Sequence, residues 1–200
     1  MEPVILTTAR LLLRTPTPRD TETVFAAVQD PDILRWTTIP SPYLPEHARG
    51  FTEQLVPEGW ANGTMFTWGL FLPEGFLPEG FLPEGEELVG MLSLTKRSAG
   101  TAEIGYWSTK EQRGNGYVTE AVEAAARWAF GEWSIDRVEW RAEVGNHASR
   151  AVAERVGFTI EGVLRSSLVH QGVRRDCWVG ALLPSDLGLP STAQYLPASR

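Results

Sequence analysis

The 200-residue chain is 42% apolar and 22% charged, with a formal charge of -7, which suits one globular domain with a single sizeable core. The negative balance argues against nucleic acid as the main partner, since phosphate binding needs a basic surface, and it leaves room for a cationic acceptor such as an amine. A single cysteine, Cys177, rules out an internal disulfide, and neither a basic-flanked leader nor a run of about 18 apolar residues is present, so a cytoplasmic protein without a membrane partner is expected.

In chain order, Arg10 to Arg14 reads as a short buried strand, and Thr17-Pro18 suits a helix start with proline at the first helical position. Val24, Phe25 and Val28 give that helix its apolar stripe, and it should stop before Asp30-Pro31 because a residue preceding proline avoids helical angles. Asp30 to Pro45 reads as a loop, and Glu46 to Val56 as a weak helix ended by Pro57. Met65 to Leu70 is a strand. Phe-Leu-Pro-Glu-Gly then occurs three times in tandem over residues 71–85. A period of five fits no solenoid or blade, so this is a local duplication in the loop of a hairpin whose second strand is Glu87 to Thr95. An elongated mobile loop is the plain reading; a partner-binding or strand-pairing role is the alternative.

The second half is more regular. Strands are expected at Ala102 to Trp107, Arg137 to Val144, Phe158 to Leu168 and Arg174 to Leu183, with helices at Gly114 to Phe130 and His147 to Val156. Val118, Ala121, Val122, Ala125 and Ala129 recur on one face of the first of these helices. The whole is an α/β arrangement, a mixed sheet with helices on both faces, ending in a flexible tail over residues 186–200.

Gln112-Arg113-Gly114-Asn115-Gly116-Tyr117 lies between a strand and a helix. Its glycines let the backbone turn with several N-H groups facing one way, and the helix N-terminus adds its free amides and dipole, so the turn attracts phosphate. The nucleoside triphosphate P-loop would need Lys-Ser/Thr, and the dinucleotide fingerprint a third glycine with a distant acid. Neither condition is met convincingly.

Thr101-Ala102-Glu103-Ile104-Gly105-Tyr106-Trp107, followed by Arg113-Gly114-Asn115-Gly116-Tyr117, resembles the acetyl-coenzyme A motif of the GNAT N-acyltransferases, specifically the RimJ/RimL type that acetylates ribosomal-protein N-termini. Val118 stands where the motif's last small residue is expected. Asn146-His147-Ala148-Ser149 and Arg155-Val156-Gly157-Phe158 resemble two further family segments, with His147 in place of the common proline. The resemblance covers most of residues 5–185, weakly in the first half. It implies a mostly antiparallel central sheet with two splayed parallel strands, and acetyl-coenzyme A as co-substrate without a metal. It also implies a diphosphate seat on Gln112, Arg113, Gly114, Asn115, Gly116 and Tyr117, a pantetheine track along Tyr106, Trp107 and Ser108, and a bond from Asn146, for which a helix cap is the plain alternative.

By the same resemblance the amine attacks the thioester directly. Ser149 would hydrogen-bond the leaving thiolate, Ala153 standing where the wider superfamily has a tyrosine, and Glu103 would relay a proton through water. Ser149 as a cap and Glu103 as a strand carboxylate are the plain alternatives. Trp36, Tyr43 and Trp60 are candidate pocket walls, though tryptophans are more often core, and Asp30 or Asp32 could attract a cation. His47 and His170 have no partner legible in the sequence and read as surface residues. The expected reaction is acetyl transfer to a peptide or protein α-amine. A small amine such as an aminoglycoside or polyamine, and a non-catalytic acyl-coenzyme A sensor, remain as alternatives. Acyl length and the choice between monomer and homodimer stay open.

Overall fold

The structure, a computed structural model, describes residues 1–73, 86–191 and 193–196. Most of the triplicated segment, residues 74–85, lies outside the described residues, as do parts of the expected tail. Among the described residues, eight strands form one sheet in the order β1-β2-β3-β4-β5-β6-β8-β7. They are β1 Leu6–Thr7, β2 Leu12–Arg14, β3 Met65–Leu72, β4 Glu87–Ser98, β5 Thr101–Ser108, β6 Arg137–Glu143, β7 Thr159–His170 and β8 Val173–Leu182. Every neighbouring pair is antiparallel except β5 with β6. The mixed, mostly antiparallel sheet is the expected one.

The helices are α1 Thr21–Val28, α2 Pro31–Trp36, α3 Pro45–Gly50, α4 Val56–Asn62, α5 Tyr117–Glu132 and α6 His147–Val156. They cover both faces. On one, Ala121, Val122, Ala125, Ala126 and Ala129 of α5 bring small side chains against Ile104, Trp140 and Leu94 of the sheet. There Trp60, Phe66, Trp68 and Trp128 stack at centroid separations of 4.6 to 6.2 Å. On the other face Val24, Val28, Ile33, Tyr43 and Ala48 pack on Phe71, Leu88 and Met91.

Two expectations in the first half fail. Asp30-Pro31 starts a helix instead of opening a loop: Asp30 Oδ1 accepts the Asp32 N-H at 2.9 Å and Pro31 occupies a position where no N-H is needed. Pro57 also ends nothing. A π-type turn over Phe51–Leu55 hands the chain to α4, and Pro57 sits in that helix's first turn. At the other end, a 3₁₀ turn spans Pro184–Leu187, and Leu187 and Leu189 pack on the core, so ordered chain continues past residue 185.

Candidate active site

The strands β5 and β6 pair only from Thr101 to Ile104 with Arg137 to Trp140. Beyond that point β5 stays on β4 as far as Ser108, and β6 stays on β8 as far as Glu143. The two diverge, so one edge of β5 over Gly105 to Ser108 is left without a strand partner. A cleft of about 770 Å³ passes through the gap. Tyr106, Val118, Trp140, Asn146 and Ser149 line it on the α5–α6 face, and Glu103, Trp107, Arg141, Glu143 and Cys177 on the α1–α3 face. Two reactants can therefore approach one point from opposite sides of the sheet.

The glycine-rich turn borders this gap. Gly114 and Gly116 adopt φ of 82° and 81°, which glycine reaches without strain. The first intrahelical bond of α5 runs from Glu120 N-H to Gly116 O at 3.1 Å, so the amides of Tyr117 to Thr119 carry no intrahelical bond and project from the helix end. The side chains of the turn are engaged with other side chains, Arg113 at the border of the cleft. Arg113 pairs with Asp30 and, at 2.8 Å, with Asp32, so these two acids serve an internal cation and not a substrate one. Gln112 donates to Glu87 at 2.6 Å, and the Asn115 amide donates to Gln112. What the turn leaves open is backbone, from Gly114 onward, the amides of Gln112 and Arg113 being bonded to the Thr109 and Lys110 carbonyls.

The connection between β1 and β2 braces the turn, a link the sequence did not show. Arg10 Nη1 donates to the Asn115 carbonyl at 2.9 Å and Nε to Glu120 at 2.7 Å, and the guanidinium lies 4.7 Å from the Tyr117 ring centroid. Glu120 also accepts from Thr8 Oγ1 and from the Arg10 N-H. Burial pushes its carboxyl up, and the bonds from Thr8 and Arg10 more than reverse this, leaving it below the ordinary carboxylate range. The partners are more than a hundred residues apart in sequence.

Ser149 stands one turn into α6. Asn146 caps that helix, its Oδ1 accepting the Ser149 N-H at 3.1 Å. The Ser149 hydroxyl accepts from Trp140 Nε1 at 2.9 Å and faces the Tyr106 hydroxyl at 3.3 Å, while Tyr106 donates to the Ser149 carbonyl at 2.9 Å. Burial raises the Tyr106 phenol well above its usual value, against smaller opposing effects from Ser149 and Trp140. The Tyr106 proton is committed to the Ser149 carbonyl, whereas the Ser149 hydroxyl, polarised by the bond from Trp140 and directed at the Tyr106 oxygen, borders the cleft and can turn its hydrogen bond into it.

On the opposite face Glu103 takes Arg97 at 3.1 Å and Arg141 at 3.5 Å, both on Oε2. Glu143 takes Arg35 through two bonds of 2.7 and 2.9 Å, with Arg175 at 3.9 Å. The Arg35 bonds hold Glu143 below the usual carboxylate range despite burial. His170 is buried, its Nε2 3.2 Å from the Leu34 carbonyl, and His47 accepts the Leu44 N-H at 3.0 Å at the start of α3. Neither is a free surface residue. Cys177 is buried in β8.

A model of the acetyltransferase (GNAT) domain matches residues 10–159. The chain belongs to this family. It is 43% identical over 98 residues to YdaF of Bacillus subtilis (strain 168), a candidate ribosomal N-acetyltransferase by name, covering 48% of this chain and 54% of that protein. It is 32% identical over 84 residues to the ribosomal-protein-serine acetyltransferase of Escherichia coli (strain K12), covering 41% and 47%. These matches span about half the length of each relative. The fold superposes on Mycobacterium smegmatis RimJ in complex with CoA-disulfide with a TM-score of 0.78 at 23% identity, covering 94% of this chain and 92% of that one.

Of the three aromatics expected to wall the acceptor side of this GNAT domain, Trp36 does border the cleft, under the Arg35 guanidinium at 4.1 Å. Tyr43 is buried between α1 and α3 and borders a second cavity. Trp60 borders neither. It is 1% exposed in the aromatic core, with Nε1 donating to the Thr67 carbonyl at 3.3 Å. Aromatic identity alone cannot separate a core ring from a pocket ring.

Proposed function

We propose that this GNAT domain transfers an acetyl group from acetyl-coenzyme A to a primary amine, with the α-amine of a peptide or protein as acceptor, by direct attack in a ternary complex. The observation that carries the reading is the gap between β5 and β6, open to both faces of the sheet, with the Ser149 hydroxyl on one side and Glu103 on the other. The amides of Gly114 to Tyr117 and the start of α5 would receive the diphosphate, those of Gln112 and Arg113 being engaged by the Thr109 and Lys110 carbonyls, and the unpaired edge of β5 at Tyr106, Trp107 and Ser108 would receive the pantetheine amides. Asn146 is engaged as a cap, so a pantetheine bond would use its remaining amide group.

In the transfer the amine nitrogen bonds to the carbonyl carbon, the carbon-sulfur bond breaks, and a backbone N-H of β5 takes the oxyanion. The amine's proton passes through water to Glu103, which the arginines approach on Oε2, and the departing sulfur takes a hydrogen bond or proton from Ser149. A peptide α-amine, with a reference pKa near 8, is partly neutral at cell pH, whereas a lysine amine near 10.4 would need a stronger base. The acidic groups of the cleft also favour a peptide over a polycation: Glu103 and Glu143 are each already paired with arginines.

The test is thiol release from acetyl-coenzyme A with peptide α-amines, polyamines and aminoglycosides, in wild type and in Ser149→Ala and Glu103→Gln. Turnover with peptide α-amines, reduced about tenfold or more in both variants, is expected, since a positioned proton-transfer group contributes roughly 10²- to 10⁴-fold. Tight coenzyme A binding without turnover of any amine would leave a sensor as the better reading.

A further inference from the structure

Beside the cleft lies a second cavity of about 440 Å³, enclosed by α1, α3, the π-type turn and residues 38–40. Its walls are almost entirely apolar, including Val24, Val28, Ile39, Phe51 and Trp107. Its volume falls in the range of small-ligand sites, roughly 300–1,000 Å³. Thr38, Ile39, Phe51 and Trp107 line both this cavity and the cleft, so the two adjoin across these four residues. Trp107 follows Gly105 by two residues on β5, about 7 Å along the strand, which is the reach of one amino-acid side chain from the gap.

Resting on the acetyl-transfer reading above, we propose that this cavity is a specificity pocket for the acceptor, taking a bulky apolar or aromatic side chain carried next to the reacting amine. Two features favour the acceptor over a long acyl chain of the donor. The cavity lies on the α1–α3 face, away from the α5 N-terminus where the diphosphate would sit, and Leu55 at its border is half exposed, so entry is from solvent. It also has polar groups at its border that an acyl chain would not use. His47 accepts the Leu44 N-H through Nδ1, which places the ring proton on Nε2 as a donor for a peptide carbonyl, and Glu46 stands beside it.

Gly50 supplies the probe. It borders the cavity with ordinary helical angles, φ -58° and ψ -34°, and a Cβ there would meet no atom within 4 Å. A side chain at this position therefore strains no backbone, and in Gly50→Phe the ring takes up cavity space. Calorimetric titration of coenzyme A-loaded protein with tryptophanamide, phenylalaninamide and glycinamide reads the pocket without relying on turnover. Wild type should bind the aromatic amides about 10- to 100-fold more tightly than glycinamide, the range expected for burying one large apolar side chain. Gly50→Phe, with an unchanged melting temperature, should bring that ratio to within about threefold of unity. Equal binding of all three amides by wild type overturns the proposal, as does a preference that survives Gly50→Phe. Transfer of hexanoyl from hexanoyl-coenzyme A that is efficient in wild type and lost in Gly50→Phe, without any preference among the amides, would assign the cavity to the donor instead. Selective binding without acetyl transfer to any amine would refute the proposed reaction and leave the pocket standing.

Discussion

Arg10 is the residue whose loss should most selectively weaken the donor side of the site. Glu120 lies in the first turn of α5, at the helix end where an anionic diphosphate is to bind, and a bare carboxylate there opposes that binding. Arg10 cancels it through the 2.7 Å ion pair and holds the turn through the Asn115 carbonyl. Three residues of helix separate Glu120 from the first helical position, about 4.5 Å along the axis, which puts its charge about 9 Å from a phosphate seated over the amides. At an effective dielectric constant of about 40, one pair of charges at that distance costs about 1 kcal/mol, and screening removes about half. For a diphosphate the total is about 1 kcal/mol, which raises the acetyl-coenzyme A KM about fivefold in Arg10→Ala. The expected result is a KM increase of about fivefold with kcat changed less than twofold, shrinking in 0.5 M salt. Arg10→Ala/Glu120→Gln should recover most of the affinity, because the charge left exposed by the first change is gone. A double variant as weak as the single, or a loss confined to kcat, would refute the electrostatic account and leave Arg10 as a brace only.

Two further expectations concern the opposite face. Because Glu143 is held below its usual range, its ionised form stabilises the fold fully above the unfolded carboxylate value of about 4.5, and that contribution is lost as pH falls through the lower folded value. The stability difference between wild type and Glu143→Gln, followed by urea denaturation, should be constant above about pH 5 and shrink steadily below it; a constant difference down to pH 3 would remove Arg35 as its source. Cys177 is buried and its thiol is raised above the ordinary range, chiefly by burial. It should resist alkylation at pH 8 in native protein and react on unfolding, so rapid native labelling would contradict its placement.

The second half of the fold was legible because its constraints are local. Gly114 and Gly116 sit where the backbone needs positive φ, the α5 alanines recur at helical spacing, and Asn146 is a polar cap before an amphipathic run. Each feature reads the same in isolation as in the structure. The first half obeys contacts that no window of sequence contains. Asp30-Pro31 has the same two residues whether a helix ends or begins there, and only the bond from Asp32 N-H to Asp30 Oδ1 decides it. Pro57 breaks a regular helix but is accommodated after a π-type turn, where its missing N-H falls at a helix start. Trp60 and Trp36 were indistinguishable by residue type, and their fates differ because α4 lies over the aromatic core while α2 lies over the gap. Arg10 had no local signal at all, its partners being Asn115 and Glu120.

The gap itself follows from how the sheet is divided. Were β5 and β6 held only by each other, an opening between them would cost hydrogen bonds on both edges; here each retains a full antiparallel partner, β4 for one and β8 for the other, so the two halves stay ordered while they diverge. The ladder closes at Ile104 opposite Trp140, and Trp140 is also the residue whose indole donates to Ser149. The last rung before the opening therefore fixes the hydroxyl that faces it. This coupling makes the position of Ser149 a property of the sheet and not of α6 alone.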